Sequence, residues 1–195
     1  MAITLSAFVL GYSGTIGSAI VKALAQEPRF DRVVLIGRRE IELPESDTQF
    51  NYTKFEQKIV EDLDLFIKNP ENSSYFTGIE VGFYALGISS NKVTEDEYRK
   101  IEHDYCIGIA KLAQVGGCEH FHYISGKGAK DTGFFLYAKV KAQVEQELEL
   151  LKFSRLSVYR PGMTLIKYKI SILGQLSFYF NVHLYKNVFN CIMYL

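Results

Sequence analysis

Three side chains in the second half of the chain have the types and spacing for proton transfer at an oxygen: Ser125, Tyr137 and Lys141. Tyr137 and Lys141 stand four apart in Leu136-Tyr137-Ala138-Lys139-Val140-Lys141, and the apolar period runs on through Val144, Leu148 and Leu151. A helix is expected, and the spacing sets phenol and ammonium on one face of it. A free phenol titrates near ~10, so bringing it to neutral pH takes about 3 units, roughly 4 kcal/mol of differential stabilisation. Burial works against that shift because it penalises the phenolate, whereas a neighbouring lysine ammonium favours it. Tyr137 would then exchange a proton with a carbonyl or alcohol oxygen. Ser125 closes the strand-like run His120 to Ser125, ahead of Gly126-Lys127-Gly128-Ala129, and would hold the same oxygen. Tyr-x-x-x-Lys also occurs on exposed helices that only cover apolar surface, so the remaining elements must decide between the two readings.

The element that gives the constellation a partner is the turn Gly11-Tyr12-Ser13-Gly14-Thr15-Ile16-Gly17. It follows the apolar run Ala7-Phe8-Val9-Leu10 and opens a helical period at Ile16, Ala19, Ile20, Ala23 and Leu24. A strand, a glycine turn and a helix in that order form a phosphate cradle: glycines let the backbone turn and approach, and the helix N-terminus faces the anion. Gly11, Ser13, Gly14, Thr15, Ile16 and Gly17 are therefore candidate dinucleotide-binding residues. The spacing G-x-x-G-x-x-G sets the middle glycine one place later than in G-x-G-x-x-G. A second strand, Val33-Val34-Leu35-Ile36, ends at Gly37-Arg38-Arg39, where the adenosine ribose would lie. Arg38 and Arg39 can pair with a 2′-phosphate and point to NADP(H); Glu40 is the competing signal for NAD. A positively charged oxidised nicotinamide would help Lys141 favour the Tyr137 phenolate.

Elsewhere the pattern is uneven. Thr48 to Tyr52 reads as a third strand, Phe55 to Ile67 as mixed helix, and Asn69 to Ser74 as a loop. Ile79 to Gly87 is again strand-like; the small residues Ala85 and Gly87 at its end would let a cofactor lie against the backbone, with Leu86 and Gly87 as candidate cofactor-binding residues. Thr94-Glu95-Asp96-Glu97 is a capping box opening a helix with Tyr98, Ile101, Tyr105, Ile109 and Leu112 on one stripe, stopped by Gly116-Gly117. His103 within it reads as a packing or surface residue. His120 and His122 share a strand face, but without a third suitably spaced ligand they read as structural, and no metal is expected.

Composition bounds the rest. The 195 residues suit one ordinary domain, and 22 basic against 22 acidic residues give no sign of a nucleic-acid partner. Cys106, Cys118 and Cys191 have no metal spacing and read as reduced thiols, with a cytoplasmic or partly nuclear location expected. The first residues read as a strand rather than a signal peptide, and no 18-residue apolar run predicts a transmembrane span. The fold class expected is α/β, a doubly wound parallel sheet.

The glycine spacing, Ser125, Tyr137-x-x-x-Lys141 and Arg160-Pro161-Gly162 in order resemble the short-chain dehydrogenase/reductases of the extended or atypical kind. Glu102-His103-Asp104-Tyr105, Gly116 to Phe121, Ser125 to Ala129, Phe135 to Glu145 and Leu151 to Arg155 resemble, more narrowly, the HIV Tat-interacting protein oxidoreductases. The resemblance covers residues 1 to about 163. It implies a Rossmann domain over 1–163 binding NADP(H), with Tyr137, Lys141, Pro161 and Gly162 also at the cofactor. It implies too a catalytic set of Ser125, Tyr137 and Lys141 acting on a small carbonyl or alcohol substrate. Asp104 stands where many relatives carry an asparagine that organises a proton-relay water. Members of the group are also described as interaction proteins that bind a nuclear import receptor and influence transcription and cell death. A cofactor-responsive interaction protein with little catalysis is thus the alternative to an enzyme.

The match stops after Met163. Residues 164–195 carry no Asp or Glu and alternate from Leu176 to Tyr185 with the period of a strand. An added edge strand, a surface-seeking segment or an alternative C-terminus that truncates the substrate lobe are the expectations there.

Overall fold

The computed structural model describes residues 4–130 and 134–161. Residues 164–195, with the expected strand of 176–185 and the proposed domain limit, lie outside the described residues, as does Gly162.

The apolar runs that read as doubly buried strands pair side by side. β1 (Leu5–Leu10) lies between β2 (Phe30–Gly37) and β4 (Val81–Tyr84). β3 (Phe55–Ile59) flanks β2, and β5 (His120–Ile124) and β6 (Arg155–Tyr159) extend the other side. All pairings are parallel, in the order β3-β2-β1-β4-β5-β6. The order reverses between β1 and β4, so the crevice of a doubly wound sheet opens at their C-terminal ends. The expected α/β parallel architecture is what the chain forms.

Two cores sandwich the sheet, because side chains alternate across each strand. Phe8, Leu10, Val34, Ile36, Tyr84, Phe121 and Tyr123 meet α4 (Tyr105–Val115) and α5 (Leu136–Leu150) on one face. Ala7, Val9, Val33, Leu35, Val81 and Phe83 meet α1 (Thr15–Gln26) on the other.

Three expectations are corrected. The third strand is Phe55–Ile59, not Thr48 to Tyr52. It is an edge strand whose Glu56 and Lys58 face outward, so half-burial mimicked a helical pattern. The helix expected through Ile67 is the short α2 (Leu63–Lys68), capped by Asp62, and the expected loop at Asn69 forms a 3-10 turn, Pro70–Phe76. The long helix after Thr94 has its capping box, but α3 (Glu95–Arg99) and α4 are joined by a π-helical turn, Lys100–Asp104. Among the described residues no helix is long and apolar enough to cross a membrane.

Candidate active site

Gly11 leaves β1 with φ of +88°, a conformation that side chains rarely adopt. A Cβ there would stand 2.5 Å from the Leu86 amide nitrogen, so only glycine lets this turn nest against the chain leaving β4. The Gly14 amide closes the turn on the Gly11 carbonyl at 3.0 Å. α1 then starts at Thr15 with Gly14 as N-cap, no capping side chain and no acidic residue in its first turn. The Ser18 amide bonds the Gly14 carbonyl at 2.9 Å, and Ser13, Gly14 and Thr15 are exposed at this helix start. Ile16 is half-buried and Gly17 buried against the turn. A helix start without its own counter-charge is the arrangement that an anion completes.

The other expected cofactor residues among those described follow the C-terminal ends of β2, β4 and β6. Arg38 and Arg39 follow β2 with exposed side chains, as does Glu40. Tyr12 is 2% exposed; its ring lies over Gly37 and its hydroxyl donates to the Arg39 carbonyl, lashing the turn after β1 to the turn after β2. Leu86 and Gly87 follow β4. Pro161 follows β6, and its carbonyl accepts the Lys127 amide at 2.8 Å, joining the loops that leave β5 and β6.

Ser125, Tyr137 and Lys141 converge beyond β5. The Ser125 amide donates to the Tyr159 carbonyl at 2.8 Å, fixing a serine that is 6% exposed at the strand end. Its hydroxyl donates to Glu145 Oε1 at 2.5 Å, and Glu145 also takes the Arg160 guanidinium on both oxygens. The Tyr137 hydroxyl rests on Gly126: a Cβ there would overlap it. Lys141 is 5% exposed; its Nζ donates to the Ile124 carbonyl at 3.1 Å, pairs with Glu102 Oε2 at 2.6 Å and sits 5.0 Å from the Tyr123 ring centre. Glu102, 2% exposed, comes from the π-helical turn, and its Oε1 accepts the Ile88 amide at 2.7 Å. An ammonium has three donors, and two are thus committed.

The electrostatics differ from the expectation. Burial, then the Glu102 and Glu145 carboxylates, push the Tyr137 phenol above its ordinary value rather than toward neutrality. The lysine that should counter this is itself matched by Glu102. Burial raises Glu145, but hydrogen bonds from Arg160 and Ser125 and the charge of Arg160 outweigh it and hold the carboxyl below its usual range. Asp104 does not reach Lys141; its exposed carboxylate meets His103 Nδ1 at 2.8 Å, and Glu102 is the side chain that projects inward. His103 Nε2 is 2.8 Å from Glu147 on α5. His120 and His122 stack at 3.9 Å and bond Ser157 and Tyr159 at 2.8 and 2.7 Å.

Glu102 and Glu145 also contact the candidate site, and sequence reasoning did not single them out. Glu145 was within reach, since Tyr137, Lys141 and Glu145 recur every fourth residue on one helical stripe. Glu102 carried a fainter sign: it stands four after Tyr98 and four before Cys106, a charge on the face that must be buried.

The rat protein HTATIP2 is 39% identical over 160 residues, covering 82% of this chain and 63% of that protein. Protein FMP52-1, mitochondrial, of Scheffersomyces stipitis is 33% identical over 163 residues, covering 83% of this chain and 68% of that protein. Among solved structures, a UDP-glucuronic acid 4-epimerase from Bacillus cereus in complex with NAD superposes with a TM-score of 0.62, at 18% identity. It is matched over 82% of this chain and 57% of its own. A short chain dehydrogenase family protein from Francisella tularensis gives 0.59 at 16% identity, over 82% and 70%. At these identities the superpositions speak for the fold alone. No family model matches. The chain therefore spans under two thirds of the rat relative. The expected cytoplasmic and nuclear location is overturned by the fungal relatives: those of S. stipitis, Eremothecium gossypii and Saccharomyces cerevisiae are named mitochondrial. Unpaired thiols report reducing surroundings, which more than one compartment supplies. With one relative a third identical over more than two thirds of its length, and with the parallel sheet that the superpositions share, this chain belongs to the atypical short-chain dehydrogenase/reductases that resemble HTATIP2.

Proposed function

We propose that the chain is an NADP(H)-dependent oxidoreductase that interconverts a small carbonyl compound and its alcohol. The observation that carries this reading is Lys141: a buried ammonium, anchored from below by Ile124 and Glu102, on the same helical face as Tyr137 and beside Ser125.

The residues present fit a nicotinamide dinucleotide. The Gly11 to Gly17 turn leaves no room for a Cβ at Gly11 and presents an uncapped helix start, which suits a pyrophosphate. Arg38 and Arg39 suit a 2′-phosphate, bound bidentately and with charge assistance. Leu86, Gly87, Pro161 and Gly162 would flank the nicotinamide half, and the uncommitted donor of Lys141 would take a ribose hydroxyl. The bound cofactor supplies or accepts the hydride.

The chain's own residues manage the proton and the oxygen. Tyr137, whose phenol burial and the Glu102 and Glu145 carboxylates hold above its ordinary value, is poised as a general acid toward a carbonyl oxygen. Ser125 must turn its hydroxyl from Glu145 to donate to that oxygen. Glu145 keeps both Arg160 bonds when it does, so no buried carboxylate oxygen is left without a partner.

The test is NADPH oxidation with a panel of small aldehydes and ketones, alongside thermal shifts with NADP(H) and NAD(H). Tyr137→Phe should lower kcat by at least about a hundredfold, within the span of acid catalysis, and leave the NADPH-induced shift intact. Equal turnover in wild type and variant would defeat the reading. A cofactor-responsive interaction protein is the second reading, favoured by Phe134 and Phe135, 100% and 77% exposed just ahead of Tyr137. NADPH binding with no turnover of any carbonyl would select it.

A further inference from the structure

Glu102 is a buried carboxylate whose part in the proposed reaction runs through Lys141. It is 2% exposed, and it reaches inward from a π-helical turn, where one extra residue per turn redirects the side chains that follow. Its two carboxylate oxygens differ: Oε1 is hydrogen-bonded, while Oε2 is ion-paired without a hydrogen bond of its own. Oε1 accepts the Ile88 amide at 2.7 Å, in the loop leaving β4, and Oε2 pairs with Lys141 at 2.6 Å. A Cβ on Gly87 would stand 3.0 Å from Oε1, so the loop is drawn close around it. One side chain thus joins the β4 loop, the α3–α4 junction and the lysine of α5. A buried carboxylate is retained at such a place only when something compensates its desolvation, and here the compensation is the proposed catalytic lysine itself.

We propose that Glu102 is a positioning residue for this site: its carboxylate fixes the Lys141 ammonium in place and acts as the counter-charge that governs when Tyr137 gives up its proton. The inference rests on the oxidoreductase reading of the same residues. The groups that act on Tyr137 are Glu102 from the π-helical turn, Glu145 from α5 and Tyr98 from α3; Lys141 of α5 pairs with Glu102 and lies against Tyr123 of β5. Of these, Glu102 and Glu145 are the negative charges. Glu145 is paired with Arg160, which faces solvent, whereas the cation paired with Glu102 among the described residues is Lys141. Removing the Glu102 charge takes a negative charge from beside the phenol, so the phenolate becomes easier to form.

The experiment titrates the whole 195-residue chain labelled with [13Cζ]tyrosine, the Tyr137 signal being assigned by its loss in Tyr137→Phe. Glu102→Gln keeps an acceptor for Ile88 and should lower the Tyr137 pKa by about one unit, the size of shift that one nearby charge imposes. The pH profile of kcat/KM for carbonyl reduction should move down with it, while a merely structural residue would lower activity evenly at every pH. An unmoved Tyr137 signal would overturn the proposal. If the Gln variant fails to fold, Glu102→Asp serves. It keeps the charge and leaves the titration in place, but its shorter stem releases the ammonium and should weaken NADPH binding about tenfold, as one misplaced charge-assisted hydrogen bond does. NADPH affinity equal to wild type in that variant would overturn the positioning role. Should the Tyr137 signal move as expected in a chain that turns over no carbonyl, the Glu102–Tyr137 coupling holds and the oxidoreductase reading is what falls.

Discussion

At the scale of single residues the site depends on what is small as much as on what is reactive. Gly126 has an ordinary backbone conformation, yet any Cβ would overlap the Tyr137 hydroxyl. Gly126→Ala should therefore push the phenol out of place without touching the glycine turn. The expected outcome is a loss of about a hundredfold in kcat, in keeping with an ångström-scale misplacement, with the NADPH thermal shift unchanged. Steady-state kinetics beside the shift assay check it. The strand end at Ser125 and the shared helical face of Tyr137 and Lys141 were legible from spacing, because both are local patterns. Their charges were not. The raised Tyr137 phenol follows from Glu102, 35 residues upstream of it, and no local pattern reports a pairing made by tertiary folding.

At the scale of elements, the junction between α3 and α4 is held to α5 by more than Glu102. His103 meets Asp104 and Glu147 at 2.8 Å each, and Gln143 lies 3.1 Å from its Nε2. Burial pushes the imidazole down, but the hydrogen bonds and charges of Asp104 and Glu147 together raise it above its ordinary value. A raised folded-state pKa stabilises the protonated native form. The contribution is complete below the unfolded value of 6.5 and fades as pH climbs through the higher folded one. Wild type should therefore exceed His103→Gln in urea midpoint most at pH 6, with the gap shrinking by pH 8. A gap that widens with pH would contradict this clamp. The capping box at Thr94 was readable because capping is local. The π-helical turn was not, since the stripe of Tyr98, Ile101 and Tyr105 fits an unbroken helix equally well.

Across the whole molecule the order of strands follows from which runs are continuously apolar. β1, β2 and β4 are buried on both faces and were found by composition, whereas β3, with one face open, was mistaken for helix. The centre of the larger core is Phe8, fully buried, edge-on to Phe76 at 4.9 Å and pressed into the space that Gly82 leaves. Phe8→Ala should cost about 3–5 kcal/mol, the range for a buried aromatic replaced by a methyl, read as a lower urea midpoint with an unchanged slope. Because this core backs β1, the same variant should also weaken NADPH binding more than its distance from the glycines suggests.

The Tyr12 strut gives the molecule a mechanical property as well. Its phenol bolts the first loop of the sheet to the second, and the missing side chain at Gly37 is the socket that admits the ring. The two loops are thereby fastened to each other by one side chain. A substitution of Tyr12 should therefore disturb the ends of both strands at once, even though it alters neither loop's own sequence.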